Sequence, residues 1–402
     1  MKIIYSKFTL KLIFLIFFSL TYFLDFFHII NFGYDRLFYK VEPVFADLIT
    51  IIPTKFELND IFLNEKQRFS STETMNRTMN YPILWVYIFD FVNNFTTPHS
   101  FFGNSQLVFY FLVIFFIFFY SKKIQFTNFF IILSPPIFLL LDRGNNDLII
   151  FFIILISIYS NSFFSGFLIG IASALKIYPV FLCLVFLYIR EKKLSFLIGL
   201  FTTLPIVFLS FKDLFLYVTS TSISFSTSFG LLSFSLFLEK IILVFFNLNI
   251  SIYLLFFISS VFFVILAVIF KNFFNNEINK ILLNISTSRL NSKLFFIFSS
   301  LSLFVFLIFS NWAYRIIFLL PATLVLVNNF DLSNFYSLKK IIIFSLITGP
   351  FLSTWIILPI NQILLNHYSW AFYSLINLFS FSFYFILLLN FMNLNLFVNN
   401  KK

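Results

Sequence analysis

The sequence predicts an all-α, polytopic membrane protein of about twelve transmembrane helices with a large first extracytoplasmic loop. Three observations carry that prediction. The 402 residues are 60% hydrophobic and only 11% charged, with a mean hydropathy of +0.98, far from the balance of a soluble domain. Long apolar runs recur along the chain, separated by short polar junctions. The basic residues gather at alternate junctions, as they do where a membrane sets the topology.

The first run follows Lys2, Lys7 and Lys11 and stays apolar to about Ile30. It begins like a signal peptide, but it is too long and no small-x-small cleavage site follows, so it reads as an uncleaved first span. Further runs lie at Leu107–Tyr120, Phe126–Leu141, Leu148–Tyr159, Phe163–Leu175, Val180–Ile189, Leu194–Phe211, Ile252–Phe270, Leu294–Phe309, Ile316–Val327, Ile341–Leu358 and Ala371–Leu389. Several are shorter than the ~20 residues a bilayer helix needs, so charge provides a separate check. With the N-terminal lysines in the cytoplasm, alternation puts Lys122/Lys123, Arg190/Lys192/Lys193, Lys271/Lys280/Arg289/Lys293, Lys339/Lys340 and Lys401/Lys402 on that same side. Most acids fall on the opposite side. Both termini are therefore expected in the cytoplasm. The chain reads as one integral membrane domain, 1–402, with a first extracytoplasmic loop carrying amphipathic helices (31–106), a transmembrane core (107–330) and C-terminal helices (331–402).

Two segments need separate treatment. Between Phe163 and Ile189, two short runs flank Lys176-Ile177-Tyr178-Pro179. A single helix there would invert every later loop, so two short helices meeting at an outward-facing break fit better. Such a break is tolerated only where it is walled by protein or lines water. The segment from Thr219 to Asn249 keeps the topology even only if it stays outside, as an interfacial helix around Leu231–Phe246 with Glu239 and Lys240 on its polar face.

Composition also excludes several functions. A net charge of +11 would suggest nucleic acid in a soluble protein, but here the cations sit in loops between spans, where they orient the chain. The abundance of Phe accompanies abundant Ile, Asn and Lys and scarce Ala and Gly, a pattern of AT-rich codons, and carries no functional weight. Cys183 stands alone inside an apolar run, which rules out an internal disulfide. His28, His99 and His367 are scattered without metal-ligand spacing. GxGxxG, Walker and GxSxG motifs are absent. No metal and no cofactor are expected.

The informative polar residues converge on the expected outer face: Asp35, Asp47, Arg77, Tyr81, Asp142 through Asp147, Lys176, Tyr178, and Asn311-Trp312-Ala313-Tyr314-Arg315. An ionisable residue at membrane depth is a functional-site hypothesis by default. Arg143, Lys176 and Arg315 each stand at the outer end of a span. One reading makes them anchors that snorkel to the interface; the other makes them a rim for a lipid-linked phosphate, Arg as a planar fork and Lys as a point charge. Their clustering against the positive-inside bias favours the rim. Asp47, in Phe45-Ala46-Asp47-Leu48-Ile49, reads either as a helix cap or as a carboxylate whose desolvation suits a general base. Tyr81-Pro82 and Tyr178-Pro179 are also plain helix-start signals, and Asn145 and Asn146 are candidate caps of the following span.

Asp142-Arg143-Gly144-Asn145-Asn146-Asp147, then Ser165-Gly166 to Ala174, then Lys176-Ile177-Tyr178-Pro179 resemble the core of glycosyltransferase family 87, membrane mannosyltransferases of the GT-C fold that use polyprenyl-phosphate sugars. Phe45-Ala46-Asp47-Leu48 with Met79 to Trp85 looks like the family's early Asp and its YP element, and Asn311 to Pro321 looks like its late outer motif. The resemblance runs in order over roughly residues 40 to 330. It departs from the family at Leu58 to Thr78, which lacks a Gly-rich stretch found in many members, and it finds no counterpart over residues 340 to 402.

The resemblance implies inverting transfer of a hexose, mannose by the family's habit, from a polyprenyl-phosphate donor to a hydroxyl of a lipid-linked or cell-envelope glycan. It carries the catalytic base onto Asp47, with Asp35 as runner-up. Arg143, Asn145, Asn146, Asp147, Lys176, Tyr178, Tyr81, Tyr314 and Arg315 become the expected substrate-binding set, in which Asn145, Asn146 and Asp147 hold sugar hydroxyls or orient Arg143. The implied partners are the donor, a glycolipid or glycan acceptor and membrane lipids, with no nucleic acid, in a bacterial inner membrane. The alternative is a lipid-linked glycan transporter or flippase, whose expected marks are polarity through the membrane middle and repeats between halves. Neither is visible in the sequence.

Overall fold

The structure, a computed structural model, describes Leu84, Trp85, Ile88, Phe91, Ser105, Val108, Phe111, Leu112 and residues 126–209, 228–308, 311–330, 337–355, 357 and 368–394. The expected first span and Asp35, Asp47, Arg77 and Tyr81 lie outside those residues. Within them the chain is helical apart from one pairing of two-residue strands. It is a membrane protein: three helices, Ile252–Ser286, Arg289–Ile308 and Phe372–Asn393, are long and apolar enough to cross a bilayer. Shorter apolar helices, Asp147–Tyr159, Ser162–Leu175, Tyr178–Tyr188, Lys193–Pro205 and Arg315–Asn329, occupy several of the other expected runs.

Proline sets the first break. The run Phe126–Leu141 is two helices, α1 (Phe126–Ile132) and α2 (Pro135–Asp142), because Pro135 has no N–H to give and pushes Ser134 out of the helical region. Four short helices then run back and forth: α3 (Asp147–Tyr159), α4 (Ser162–Leu175), α5 (Phe181–Tyr188) and α6 (Lys193–Leu209). The break expected between α4 and α5 is present. Lys176 is extended, at φ −151° and ψ 139°, and Tyr178–Val180 makes a single 3-10 turn around Pro179.

Small residues let α4 and α6 meet backbone to backbone. A Cβ at Gly166 would stand 2.7 Å from the carbonyl oxygen of Ser195, and one at Gly170 only 1.7 Å from Thr202 Oγ1. This small-xxx-small spacing is how apolar helices pack without a hydrophobic driving force between them. Ser195 adds a polar tie, donating from its hydroxyl to the Ser162 carbonyl at 2.7 Å. Thr202 is β-branched and stiff, so it cannot swing aside for a bulkier neighbour. Gly170→Val is expected to separate the two helices and lower stability by about 1–3 kcal/mol, read as a lower melting temperature of the purified protein, while Gly170→Ala falls between.

The far ends of these helices are fastened by Lys192, in the 3-10 turn Arg190–Lys192. Its buried ammonium donates to the carbonyls of Ser157, at 2.9 Å, and Ser160, the C-terminal end of α3, where a cation complements the helix dipole. Burial and the nearby Lys293 charge pull its pKa down to about 8.

The second half contains α7 (Leu231–Phe246), α8 (Ile252–Ser286), α9 (Arg289–Ile308), the 3-10 segment Ala313–Leu319, α10 (Leu320–Asn329), α11 (Leu338–Leu352) and α12 (Tyr368–Asn393). Three findings differ from expectation. The helix at Leu231–Phe246 has the expected bounds, but it buries its N-terminal end, Leu231 to Ser235, rather than one long face. The run expected to end at Phe270 continues to Ser286, because Phe270, Phe274, Ile278, Ile281 and Ile285 form a buried stripe at helical spacing beyond Lys271. The run Ile316–Val327 begins as 3-10 helix, and Pro321 opens the α-helix that follows.

Antiparallel neighbours lock through aromatic rings. Phe306 of α9 stacks on Phe381 of α12 at 4.3 Å, and Phe263 of α8 packs 5.9 Å from Phe306. Phe181 of α5 stacks on Phe304 at 4.2 Å. The strands Ser228–Phe229 and Asn311–Trp312 pair antiparallel, with Ser228 opposite Trp312. That pairing joins the segment before α7 to the late outer motif.

Candidate active site

The turn that carries the site is built from its own residues. Gly144 takes φ 58°, the left-handed region open to glycine, and so ends α2 and reverses the chain. Arg143 N–H donates to the Leu139 carbonyl at 3.0 Å and Asn145 N–H to that of Leu140 at 3.2 Å, closing α2. The Asn145 side chain then accepts from Asp147 N–H at 2.9 Å. Asp147 is thereby fixed as the first residue of α3, where the helix dipole favours an acid.

Asp147 is the hub. Its carboxylate is fully buried, and three residues from two other segments converge on it. Lys176, at the break after α4, pairs with Oδ1. Tyr178, at the start of the 3-10 turn, donates its hydroxyl to Oδ1 at 2.6 Å. Arg315, in the 3-10 segment after α9, donates Nε–H to Oδ2 at 3.1 Å and lies 5.8 Å over the Tyr178 ring. Lys176 also donates to Asn145 Oδ1 at 3.2 Å. Such a buried network holds only if its members are mutually satisfied.

Asn146 breaks that pattern. It is 1% exposed, it caps α3 by position without a side-chain cap bond, and neither its Oδ1 nor its Nδ2 has a hydrogen-bond partner. A buried amide without partners costs free energy. Arg143 is 4% exposed in the same turn. Among the described side chains the cluster brings three cations, Arg143, Lys176 and Arg315, to the one carboxylate of Asp147.

The cluster is closed off from solvent: Arg143, Lys176 and Tyr178 are all buried around the fully buried Asp147.

Six of the expected site residues thus come together: Arg143, Asn145, Asn146, Asp147, Lys176 and Tyr178, with Arg315 as a seventh from 168 residues away. Tyr314 lies in the neighbouring 3-10 segment, its side chain outside the described atoms, and Asp47 and Tyr81 lie outside the described residues. Trp85 was not anticipated as a site neighbour. It is 1% exposed and donates Nε1–H to the Leu175 carbonyl at 3.0 Å, one residue before Lys176. A Trp just after a Tyr-Pro pair was the available signal.

Residues 102–270 match the family model of glycosyltransferase family 87. Over that stretch the chain is similar to glycosyltransferase family 87. The match spans Asp147, the turn that carries it, the paired short helices and Lys176 with Tyr178, while Arg315 lies beyond it. No match is found among curated proteins or among solved structures. The protein is a membrane glycosyltransferase, and its substrates are a sugar donor and a glycan acceptor. Among the described residues no group of His, Cys, Asp and Glu could hold a metal ion.

Proposed function

We propose that this membrane glycosyltransferase transfers mannose from a polyprenyl-phosphate donor to a hydroxyl of a lipid-linked or cell-envelope glycan, with inversion, on the extracytoplasmic face of a bacterial inner membrane. The observation that carries the reading is the cation cluster around the buried Asp147 with the partnerless amide of Asn146 beside it. A surplus of positive charge in apolar surroundings suits a phosphate that gains charge as the sugar departs, and preorganised cations act strongly where water is excluded. The Asn146 amide offers its Nδ2–H donors and its Oδ1 acceptor to sugar hydroxyls. Arg143, Lys176 and Arg315 hold the phosphate, Tyr178 orders Lys176 and Arg315 through Asp147, and Tyr81 and Tyr314 border the sugar. Asp47 takes the proton from the attacking acceptor hydroxyl. The donor already carries its leaving group, so the chemistry draws on no nucleotide or metal.

The test is transfer by the purified protein supplied with polyprenyl-phosphate mannose, polyprenyl-phosphate glucose and GDP-mannose, each with a panel of glycolipid acceptors. Transfer from polyprenyl-phosphate mannose alone is the expected result. Transfer from GDP-mannose would refute the lipid-phosphate donor, and transfer from the glucose lipid would refute the sugar. Flipping of a lipid-linked glycan in liposomes without any transfer would favour a transporter.

A further inference from the structure

A second polar cluster sits at the opposite ends of the short helices, where it closes an apolar groove. The groove has a volume of about 420 Å³ and runs between α5, α9 and α12, from Phe181 and Phe304 at one end to Tyr188, Phe296 and Met392 at the other. Tyr188 meets Phe296 edge to face at 6.1 Å. Just beyond that end lie the 3-10 turn Arg190–Lys192 and the first turn of α9. Glu191 binds Lys293 at 2.7 Å and Arg289, and Lys293 stands one turn before Phe296 on the same helix.

Charge at this mouth is one-sided. Lys193, Arg289 and Lys293 stand with one acid, Glu191, whereas the ammonium of Lys192 is buried against the end of α3. Arg289 is 62% exposed even while paired, and Lys193 is exposed. A guanidinium has five N–H donors, of which one carboxylate engages two at most, so Arg289 keeps donors for a second anion. Glu191 serves to hold Arg289 and Lys293 together across the gap between the α5–α6 turn and α9.

We propose that this groove and its basic mouth bind an anionic phospholipid of the bilayer, with an acyl chain along Leu184, Phe296 and Leu388 and the phosphate on Arg289, Lys293 and Lys193. Charge complementarity picks the ligand: a zwitterionic headgroup brings no net charge to a mouth where Lys193, Arg289 and Lys293 outnumber Glu191, whereas basic pockets between membrane helices retain anionic headgroups. The groove supplies what a free phosphate lacks, an apolar channel joined to the cations. The site lies away from the Asp147 cluster and stands independently of the donor assignment.

The experiment counts lipids retained by the purified full chain, by native mass spectrometry during titration with phosphatidylglycerol or phosphatidylcholine, with inorganic phosphate and a polyprenyl phosphate as competitors. Phosphatidylglycerol is expected to be retained preferentially, and Arg289→Gln with Lys293→Gln to weaken it on the order of thirtyfold. Glu191→Gln, which frees both cations, retains it at least as well as the parent, and Leu184→Trp, which fills the groove and leaves the mouth intact, expels it. Inorganic phosphate does not compete. Equal retention of the two phospholipids, or retention unchanged in the double variant and in Leu184→Trp, overturns the proposal. Displacement by polyprenyl phosphate at equal concentration also overturns it, because the groove would then belong to the donor.

Discussion

Asp147→Asn is expected to be among the most damaging single substitutions in the described part of the protein, lowering stability by about 3–5 kcal/mol and removing transfer activity. The carboxylate is fully buried and accepts from Lys176, Tyr178 and Arg315. An amide keeps the shape but removes the charge, leaving Lys176, itself 6% exposed, beside Arg315 without their common counter-ion. A buried and a half-buried cation then repel where an attraction stood. Thermal unfolding in nanodiscs measures the loss, and a melting temperature equal to that of the parent would rule out the counter-ion role. Adding Lys176→Met to Asp147→Asn should recover part of the stability, because the unpaired ammonium goes with it, and the double-mutant cycle gives the coupling directly. Activity should stay lost in the double variant.

The same arrangement says what a phosphate meets on arrival. Lys176 and Arg315 are held by Asp147 at fixed positions rather than left to search, so little conformational entropy remains to be lost when an anion binds. The helix dipole of α3 adds partial positive charge at the same place. Asp147 thus acts through the residues it positions.

Much of this was legible in the sequence, for a physical reason: charge between apolar runs is expensive, so Asp142 to Asp147 and Lys176 to Pro179 stand out wherever the chain folds. The break at Tyr178-Pro179 follows from chain alternation together with proline chemistry, and it is present. The choice of hub was not legible. Three cations suggested a phosphate rim with Asp147 in a supporting part, whereas pairing Asp147 to Arg315 depends on packing between α2, α3 and the 3-10 segment after α9. Nothing local encodes that. Trp85 escaped notice likewise, since its partner is a backbone carbonyl, and every residue has one. The continuation of α8 past Lys271 was hidden by Asn-rich spacing, which reads as loop until the buried stripe from Phe274 to Ile285 is seen in register.

Asp47→Asn is the second large effect, expected to cut transfer by about 10²–10⁴-fold with little change in thermal stability. A base must take up a proton from the acceptor hydroxyl, and Asp147 suits that role poorly: it is fully buried, and its oxygens accept from Tyr178 and from two cations, Lys176 and Arg315, that stabilise its charge. The base is therefore sought on another segment. The early outer region supplies Asp35 and Asp47, and Trp85 of that region already packs against Leu175 beside the cluster, so the segment has a route to the site. Asp47 lies within an apolar stretch where a carboxylate is poorly solvated, while Asp35 follows Gly33-Tyr34 and precedes Arg36, a cation that stabilises a neighbouring carboxylate and so weakens it as a base. The two single variants, assayed with saturating donor, distinguish them: a loss in kcat at Asp47 with Asp35→Asn near the parent supports the assignment, and the reverse order moves the base to Asp35. Activity near the parent in both would mean that the hydroxyl loses its proton to some other group.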